Sequence, residues 1–408
     1  MQLKSQSVVM EHDIQDIVAE LNLLSASSDP ELRAEASKFL SDVQASKQVW
    51  LVSRELLQKA RDPQLLNLGS QMLYRRVRFT VESEEREELR EFVYKLLEDA
   101  YVKYPRFVFD RLCATGALTG LRLMCSTWPT FIEDILQLAQ KSDSTLVAVI
   151  QILGNIDSEI TANSKIMEGE IYEIKDKLAA VSKNILEQLF TILKNSNNEL
   201  FVEQTLFAIR SCVQREMRIQ LLEHLEVIDV LLNAITVEKY FQIIMELLIN
   251  AVINSQAANA LNDCSLEEAL EEMPQTTRTS IHKIIEFIAA NLAETHLNQS
   301  TSQYSLYSAK ITELINVIAI NFSIFILENN DYSKVIIKLL LMCASHRNRK
   351  ISYLTFDFWV RFRGIIDEHA SDLLANFDCS FITNAYMDIL TIVMENCKRT
   401  SLPPASGK

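Results

Sequence analysis

"DPELRAEASKFLSDVQASKQVWLVSRELLQKARDPQ", residues 29–64, carries the reading of the fold. Asp29 followed by Pro30 is a helix start. The carboxylate can accept from the free N–H groups of the first turn, and proline at the first helical position gives up a donor that has no partner there. Asp62 and Pro63 repeat the device. Between them, apolar residues recur at i, i+3, i+4 and i+7, the period of an amphipathic helix. The stretch therefore holds two helices, 30–45 and 47–60, and opens a third.

The same punctuation continues outward. "KYPRF" (103–107), "STWPTF" (126–131) and "KSDSTL" (141–146) are further starts. The pattern predicts helices at 12–24, 30–45, 47–60, 63–78, 84–101, 105–124, 129–140 and 143–155. A looser stretch, "DSEITANSKIMEG" (157–169), follows. Then come 170–194, 198–214, 217–235, 237–255, 276–296, 303–328, 332–345, 348–369 and 378–398. Residues 254–275 read as a loop with one helical turn, and 401–408 as a frayed tail. Most connections are about 2–6 residues, usual between packed helices. Helices in pairs every 35–45 residues, without exact repetition, indicate an all-α, HEAT-type or armadillo-type solenoid of antiparallel pairs. About eight to nine repeats in a right-handed superhelical arch are expected. A single compact bundle is the alternative, but one core rarely organises so many helices.

Composition agrees. The 408 residues include only 7 Gly and 7 Pro, too few for many tight hairpins. The net charge of −14 argues against nucleic acid as a main ligand and suits basic protein partners. The 7 cysteines form no CxxC, so neither a zinc site nor a disulfide framework is implied, and most sit in apolar helical contexts. "MQLKSQSVVMEHDIQD" at the start has no apolar signal-peptide core. No apolar window of membrane-spanning length occurs.

Catalytic chemistry finds no support. The histidines, His12, His224, His282, His296, His346 and His369, lack partners at metal-ligand spacing. No HExxH, GxSxG, Walker A or GxGxxG motif is present. Glu267/Glu268 and Glu271/Glu272 fit a solvated acidic loop better than an acid/base pair. His282 and His346 read as surface or interface residues, and Trp50, Trp128 and Trp359 as ring fillers between helices. No enzyme and no cofactor is expected.

Two stretches carry a resemblance. In "AEASKFLSDVQASKQVW" (34–50), Ala36, Phe39, Leu40, Val43, Gln44, Ser46 and Trp50 fall in a particular order; "GSQMLYRRVR" (69–78) follows. This resembles the N-terminal domain of the importin-β family, with Gln71, Arg76 and Val77 matching and Tyr74 replacing the usual lysine. In "LMCASHRNRKISYLTFDFWVRF" (341–362), Cys343, His346 and Thr355-Phe356-x-Phe358-Trp359 resemble the transportin-SR and importin thirteen branch. "RLC" (111–113) resembles it too, whereas Gly116 and Gly120 depart from that branch's usual Leu and Ala. Family members run to about twenty helix pairs. The chain therefore resembles the N-terminal part of a receptor or a truncated gene product, with family-like pairs over 1–80 and further repeats of one continuous solenoid over 81–400.

The resemblance implies a nuclear transport receptor, shuttling between nucleus and cytoplasm. Such receptors bind the GTP form of Ran on inner helices of the first repeats, carry protein cargo along the arch, and hold Phe-Gly nucleoporins between outer helices. Helices 170–194 and 217–235 are candidate walls for the last. Basic or Arg/Ser-rich cargo is implied by the branch. Direct nucleic-acid binding and membrane insertion are not. The competing class is a HEAT scaffold that holds a multi-protein complex and ignores Ran.

Helix periodicity then selects faces for Ran. On 63–78, Asn67, Gln71, Tyr74 and Arg78 form a stripe opposite the apolar side. On 105–124 the opposite stripe is Arg111, Thr115, Leu118 and Arg122, with Leu118 expected to be exposed between two arginines. Gly116 and Gly120 fall on the apolar side of that helix. Each costs about 1 kcal/mol against alanine, so close approach of a neighbouring helix is the expected compensation.

Overall fold

The computed structural model describes residues 16–17, 19–20, 23, 27–45, 49–79, 85–163, 169–196, 198–213, 220–255, 271, 273–297, 305–328, 330–368 and 380–401. Among them there is no strand. The helix expected at 12–24 and the loop at 254–275 lie largely outside the described residues, as does the tail from 402.

The helix starts form as the sequence dictates. Glu31 N donates to Asp29 Oδ1 at 2.9 Å, and Gln64 N to Asp62 Oδ1 at 2.7 Å. In "KSDSTL", Ser142 and Thr145 cap each other: Thr145 N donates to Ser142 Oγ at 3.2 Å, and Ser142 N to Thr145 Oγ1 at 3.0 Å. Leu200 N donates to Asn198 Oδ1 at 3.0 Å. Each side-chain oxygen satisfies a backbone donor that the helix leaves unpaired.

The chain divides into two compact units, Met1–Cys212 and Val213–Lys408. The first contains α1 (Pro30–Ala45), α2 (Val49–Lys59), α3 (Pro63–Phe79), α4 (Arg86–Lys103), α5 (Arg106–Leu123), α6 (Phe131–Leu138), α7 (Asp143–Asn163), α8 (Ile171–Asn195) and α9 (Glu199–Val213), whose last residue lies past the boundary. Short connections fold α2 with α3 and α4 with α5 into hairpins, the packed helix pairs of a HEAT-type array. The second helices of successive pairs, α3, α5 and α7, lie side by side as one layer. Leu40 and Val43 of α1 share a core with Val52 and Leu56 of α2 and Leu68 and Met72 of α3. Trp50 meets the Phe92 ring of α4 edge-on at 5.2 Å, as its size suggested.

One boundary differs from expectation. α7 runs to Asn163 rather than ending near 155. Its polar-looking end, "IDSEITAN", buries Ile156, Ile160, Asp157, Glu159 and Asn163, so tertiary packing carries the helix further.

The second unit contains α10 (Leu225–Ala234), α11 (Glu238–Ile253), α12 (Gln275–Phe287), α13 (Leu306–Asn321), α14 (Asp331–Ala344), α15 (Phe356–Glu368) and α16 (Ser380–Ser401). The helix expected at 276–296 is present but passes through a π turn, Ile288–Leu292, before Ala293–His296. The helix expected over 303–328 breaks at Phe322 and resumes as a single turn, Ile324–Leu327. The expected 348–369 helix begins as two short turns, Arg349–Ser352 and Tyr353–Thr355, before α15.

Candidate functional site

The α3–α5–α7 layer holds the eight residues selected from periodicity, and it separates them into two groups. On α3, Asn67, Gln71, Tyr74 and Arg78 are all half-buried. Asn67 and Gln71 line a groove of about 480 Å³ between α1 and α3, with Ser37, Leu40, Ser41 and Gln44 on one wall and Gln64, Leu68 and Arg75 completing the other. Tyr74 and Arg78 turn instead toward α7. Tyr74 Oη donates to Glu159 Oε2 at 2.9 Å, and Arg78 Nη2 approaches the Ala162 carbonyl at 3.4 Å.

The α5 stripe is corrected. Leu118 is 0% exposed and Thr115 1%, so neither can meet a partner. α5 is the central helix of the layer, with α3 on one side, α7 on the other and α4 also packed against it. Its small polar residues satisfy themselves: Thr115 Oγ1 donates to the Arg111 carbonyl and Thr119 Oγ1 to the Thr115 carbonyl, both at 2.7 Å. Burial then carries no unpaired hydroxyl. Only Arg111 and Arg122 of the stripe reach solvent in part. Arg122 is engaged, because its Nη1 donates to the Val77 and Arg78 carbonyls at 2.7 and 2.8 Å. It closes the C-terminal carbonyls of α3, a favourable place for a cation.

The α3–α7 seam centres on Glu159, 7% exposed. Burial holds its carboxyl above the ordinary glutamate value, and the hydrogen bonds from Tyr74 and Asn163 pull it partly back. A carboxyl raised on folding favours the folded state below its unfolded pKa, and that contribution is lost as pH rises through the folded value. Glu159→Gln keeps an acceptor for Tyr74 and removes the ionisable group. Its melting temperature is expected to exceed the parent's at pH 7, with the gap closing as pH falls toward 4. A gap that does not change with pH would remove Glu159 ionisation from the stability of this seam.

Groups that might carry chemistry elsewhere are structural. Cys113, Cys212 and Cys343 are buried free thiols, and burial pushes Cys212 and Cys343 up to about 12. His346 is 2% exposed, and its Nδ1 accepts from Asn348 N at 3.0 Å. His282 stacks flat on Tyr332 at 3.6 Å. Among the described residues, no cluster of three or more His, Cys, Asp or Glu could hold a metal, and no helix is long and apolar enough to cross a membrane. The pairs Glu267/Glu268 and Glu271/Glu272 lie outside the described residues, Glu271 excepted.

Periodicity missed half of the groove. Gln64, Asn67, Gln71 and Arg75 also lie at i, i+3, i+7 and i+11, a line rotated slightly from the one chosen. The facing Ser37, Ser41 and Gln44 belong to α1, and only the folded chain brings them opposite.

Residues 105–248 match the family described as exportin 1-like protein. The chain is 23% identical to importin-13 of Homo sapiens over 327 residues, 76% of this chain and 33% of that protein. It is similarly related to importin-13 of Bos taurus, at 23% over the same shares. With the mRNA transport regulator MTR10 of Saccharomyces cerevisiae it shares 24% identity over 372 residues, 86% of this chain and 36% of that protein. Residues 105–248 thus resemble exportin 1-like protein, and the chain has weak homology to these transport proteins over most of its residues. It spans about a third of the length of the curated relatives it matches.

Proposed function

We propose that this chain acts in nuclear transport as an importin-β-type receptor. It engages the GTP form of Ran through the α3–α5–α7 layer. The observation that carries the reading is homology to importin-13 and MTR10 that runs across most of the chain rather than through one motif. The stacked helix pairs and the partly open layer support it. Within that layer the accessible contacts are Asn67, Gln71 and Arg111, with Tyr74, Arg78 and Arg122 as supports; Thr115 and Leu118 have no part in them. The acidic balance favours basic cargo, including Arg/Ser-rich segments. Phe-Gly nucleoporin repeats need shallow apolar slots. The groove of about 490 Å³ between α14 and α16, floored by Ile337, Leu341, Met342 and Ile392, offers one. Shuttling between nucleus and cytoplasm follows from the same reading.

The test is retention on immobilised Ran. Ran loaded with a non-hydrolysable GTP analogue is expected to hold the protein, and GDP-loaded Ran is not. The triple variant Asn67→Ala/Gln71→Ala/Arg111→Ala is expected to bind roughly tenfold more weakly, as loss of central contacts does. A folded protein that shows no nucleotide-dependent retention would remove Ran responsiveness and leave a HEAT scaffold as the reading.

A further inference from the structure

The α1–α3 groove shares Asn67 and Gln71 with the face proposed for Ran, but its lining as a whole has a chemistry of its own. Its lining is almost wholly neutral and hydrogen-bonding: Ser37, Ser41 and Gln44 on α1 face Gln64, Asn67 and Gln71 on α3. Among the described residues, Arg75 is the one charged lining residue and no carboxylate lines the groove. Gln44 accepts from Arg75 Nη1, which ties the two walls together near one end. The side chains of Ser37, Ser41, Gln64, Asn67 and Gln71 make no hydrogen bond among the described residues, so their donors and acceptors are open to a ligand.

The spacing of these groups selects the ligand. Gln64, Asn67, Gln71 and Arg75 rise along one side of α3 in steps of three, four and four residues. At about 1.5 Å per residue the last two steps are each about 6 Å. An extended polypeptide repeats the same face about every 6.7 Å. Asn67 and Gln71, one such step apart, can therefore meet alternate residues of an extended chain, with the Arg75 guanidinium one step further on. Each amide offers both a donor and an acceptor, which is what a main-chain residue requires. A helix has its main-chain groups paired internally and cannot use the row. A small molecule would be poorly enclosed, since among the described residues only Leu40 and Leu68 supply apolar wall. A nucleic acid needs many cations, and the groove has one. At the end of the row, Arg75 retains guanidinium donors beyond the one given to Gln44, and a carboxylate is their matching acceptor.

We infer that the α1–α3 groove binds an extended acidic segment of a protein partner, its main chain on the amide row and a carboxylate on Arg75. The inference rests on the transport reading only for the importance of this face. Peptide binding needs no GTPase, so loss of one result leaves the other standing.

Fluorescence anisotropy with the intact chain tests it. The probe is a fluorescein-labelled octapeptide of alternating serine and aspartate. Two further peptides replace aspartate by lysine or carry N-methyl groups on alternate amides. Saturable binding of the aspartate peptide is expected. Binding should weaken roughly tenfold or more with Arg75→Glu, with the lysine peptide, and with the N-methylated peptide. The N-methylated arm needs no protein variant, so misfolding cannot imitate it. Arg75 is exposed, and circular dichroism will show whether Arg75→Glu keeps the parent fold. Absence of binding at millimolar peptide, equal binding of the lysine or N-methylated peptides, or indifference to Arg75→Glu would each overturn the inference.

Discussion

Gly120→Ala is expected to destabilise the N-terminal unit by up to about 2 kcal/mol, although alanine is the better helix former. A Cβ built at Gly120 would lie 2.2 Å from Cε2 and Cζ of Phe131 and 2.3 Å from Cε1. No contact that short is tolerable, so the ring must move. Phe131 is 0% exposed and meets Trp128 edge-on at 5.0 Å. Trp128 is itself fixed, with its Nε1 donating to Asp134 Oδ2 at 2.7 Å. Overpacking of this kind costs about 1–3 kcal/mol and sometimes more, against roughly 1 kcal/mol recovered from helix propensity. Gly154→Ala is the matched control. Its Cβ would meet Ala208 at 3.7–3.9 Å, ordinary contact, so the propensity gain of about 0.5–1 kcal/mol should appear as stabilisation. Opposite signs in urea unfolding check the pair. Adding Phe131→Leu to Gly120→Ala should cost less than the sum of the two single changes, because the clash is with the ring.

The pair Gly116 and Gly120 thus does different work from what the spacing suggested. A Cβ at Gly116 would lie 3.1 Å from Leu97 Cδ1 and 3.5 Å from Ile152 Cδ1. At both positions the missing Cβ makes room for a side chain, and no backbone closes on the gap. Gly116→Leu should still destabilise, through those two residues. The sequence called for close approach of a neighbouring helix on that side of α5. It could not show that Phe131, past a proline turn, was the occupant at Gly120.

Helix existence was the legible part because its signals are local. The Asp29–Pro30 and Asp62–Pro63 starts are chemistry within one turn, and both caps form as read. Faces were legible only where polarity and exposure coincide. On α3 they do: Asn67 and Gln71 are polar and reach the groove. On α5 they do not. Threonines that bond back to their own helix can be buried without loss, and Leu118 lies among them at the centre of a layer. Which helices become neighbours decides burial there, and that information is not in the period of α5. The same limit hid Ser37, Ser41 and Gln44, whose role depends on α1 lying across from α3. Arg122 illustrates a third case. Its position on the stripe was right, but the acceptors that occupy it are carbonyls of another helix.

Phe358→Ala should cost the second unit about 3–5 kcal/mol, the range for deleting a fully buried ring. Phe358 is 0% exposed and sits between two rings, with centroids 5.0 Å away on both Trp359 and Phe362. The cluster reaches across to α16, where Tyr386 meets Trp359 edge-on at 5.5 Å and donates its hydroxyl to the Trp359 carbonyl at 3.1 Å. Burial pushes the Tyr386 phenol up to about 12, so it stays a neutral donor through the physiological range. Removing Phe358 takes away the ring against which Trp359 and Phe362 are set, and the cavity cannot close without moving Tyr386. Two readouts should therefore change together: urea midpoint, and the near-ultraviolet circular dichroism of the coupled rings. Val360→Ala, two residues along the same helix and 73% exposed, should leave the midpoint within about 0.5 kcal/mol of the parent and the spectrum unchanged. If Phe358→Ala cost less than about 1 kcal/mol, the aromatic run that resembles the transportin-SR and importin thirteen branch would have to be serving something other than the core. The packing of Phe358 with Trp359, Phe362 and Tyr386 in one cluster of four rings argues that it serves the core, and that the resemblance at 341–362 is one of core packing rather than of binding surface.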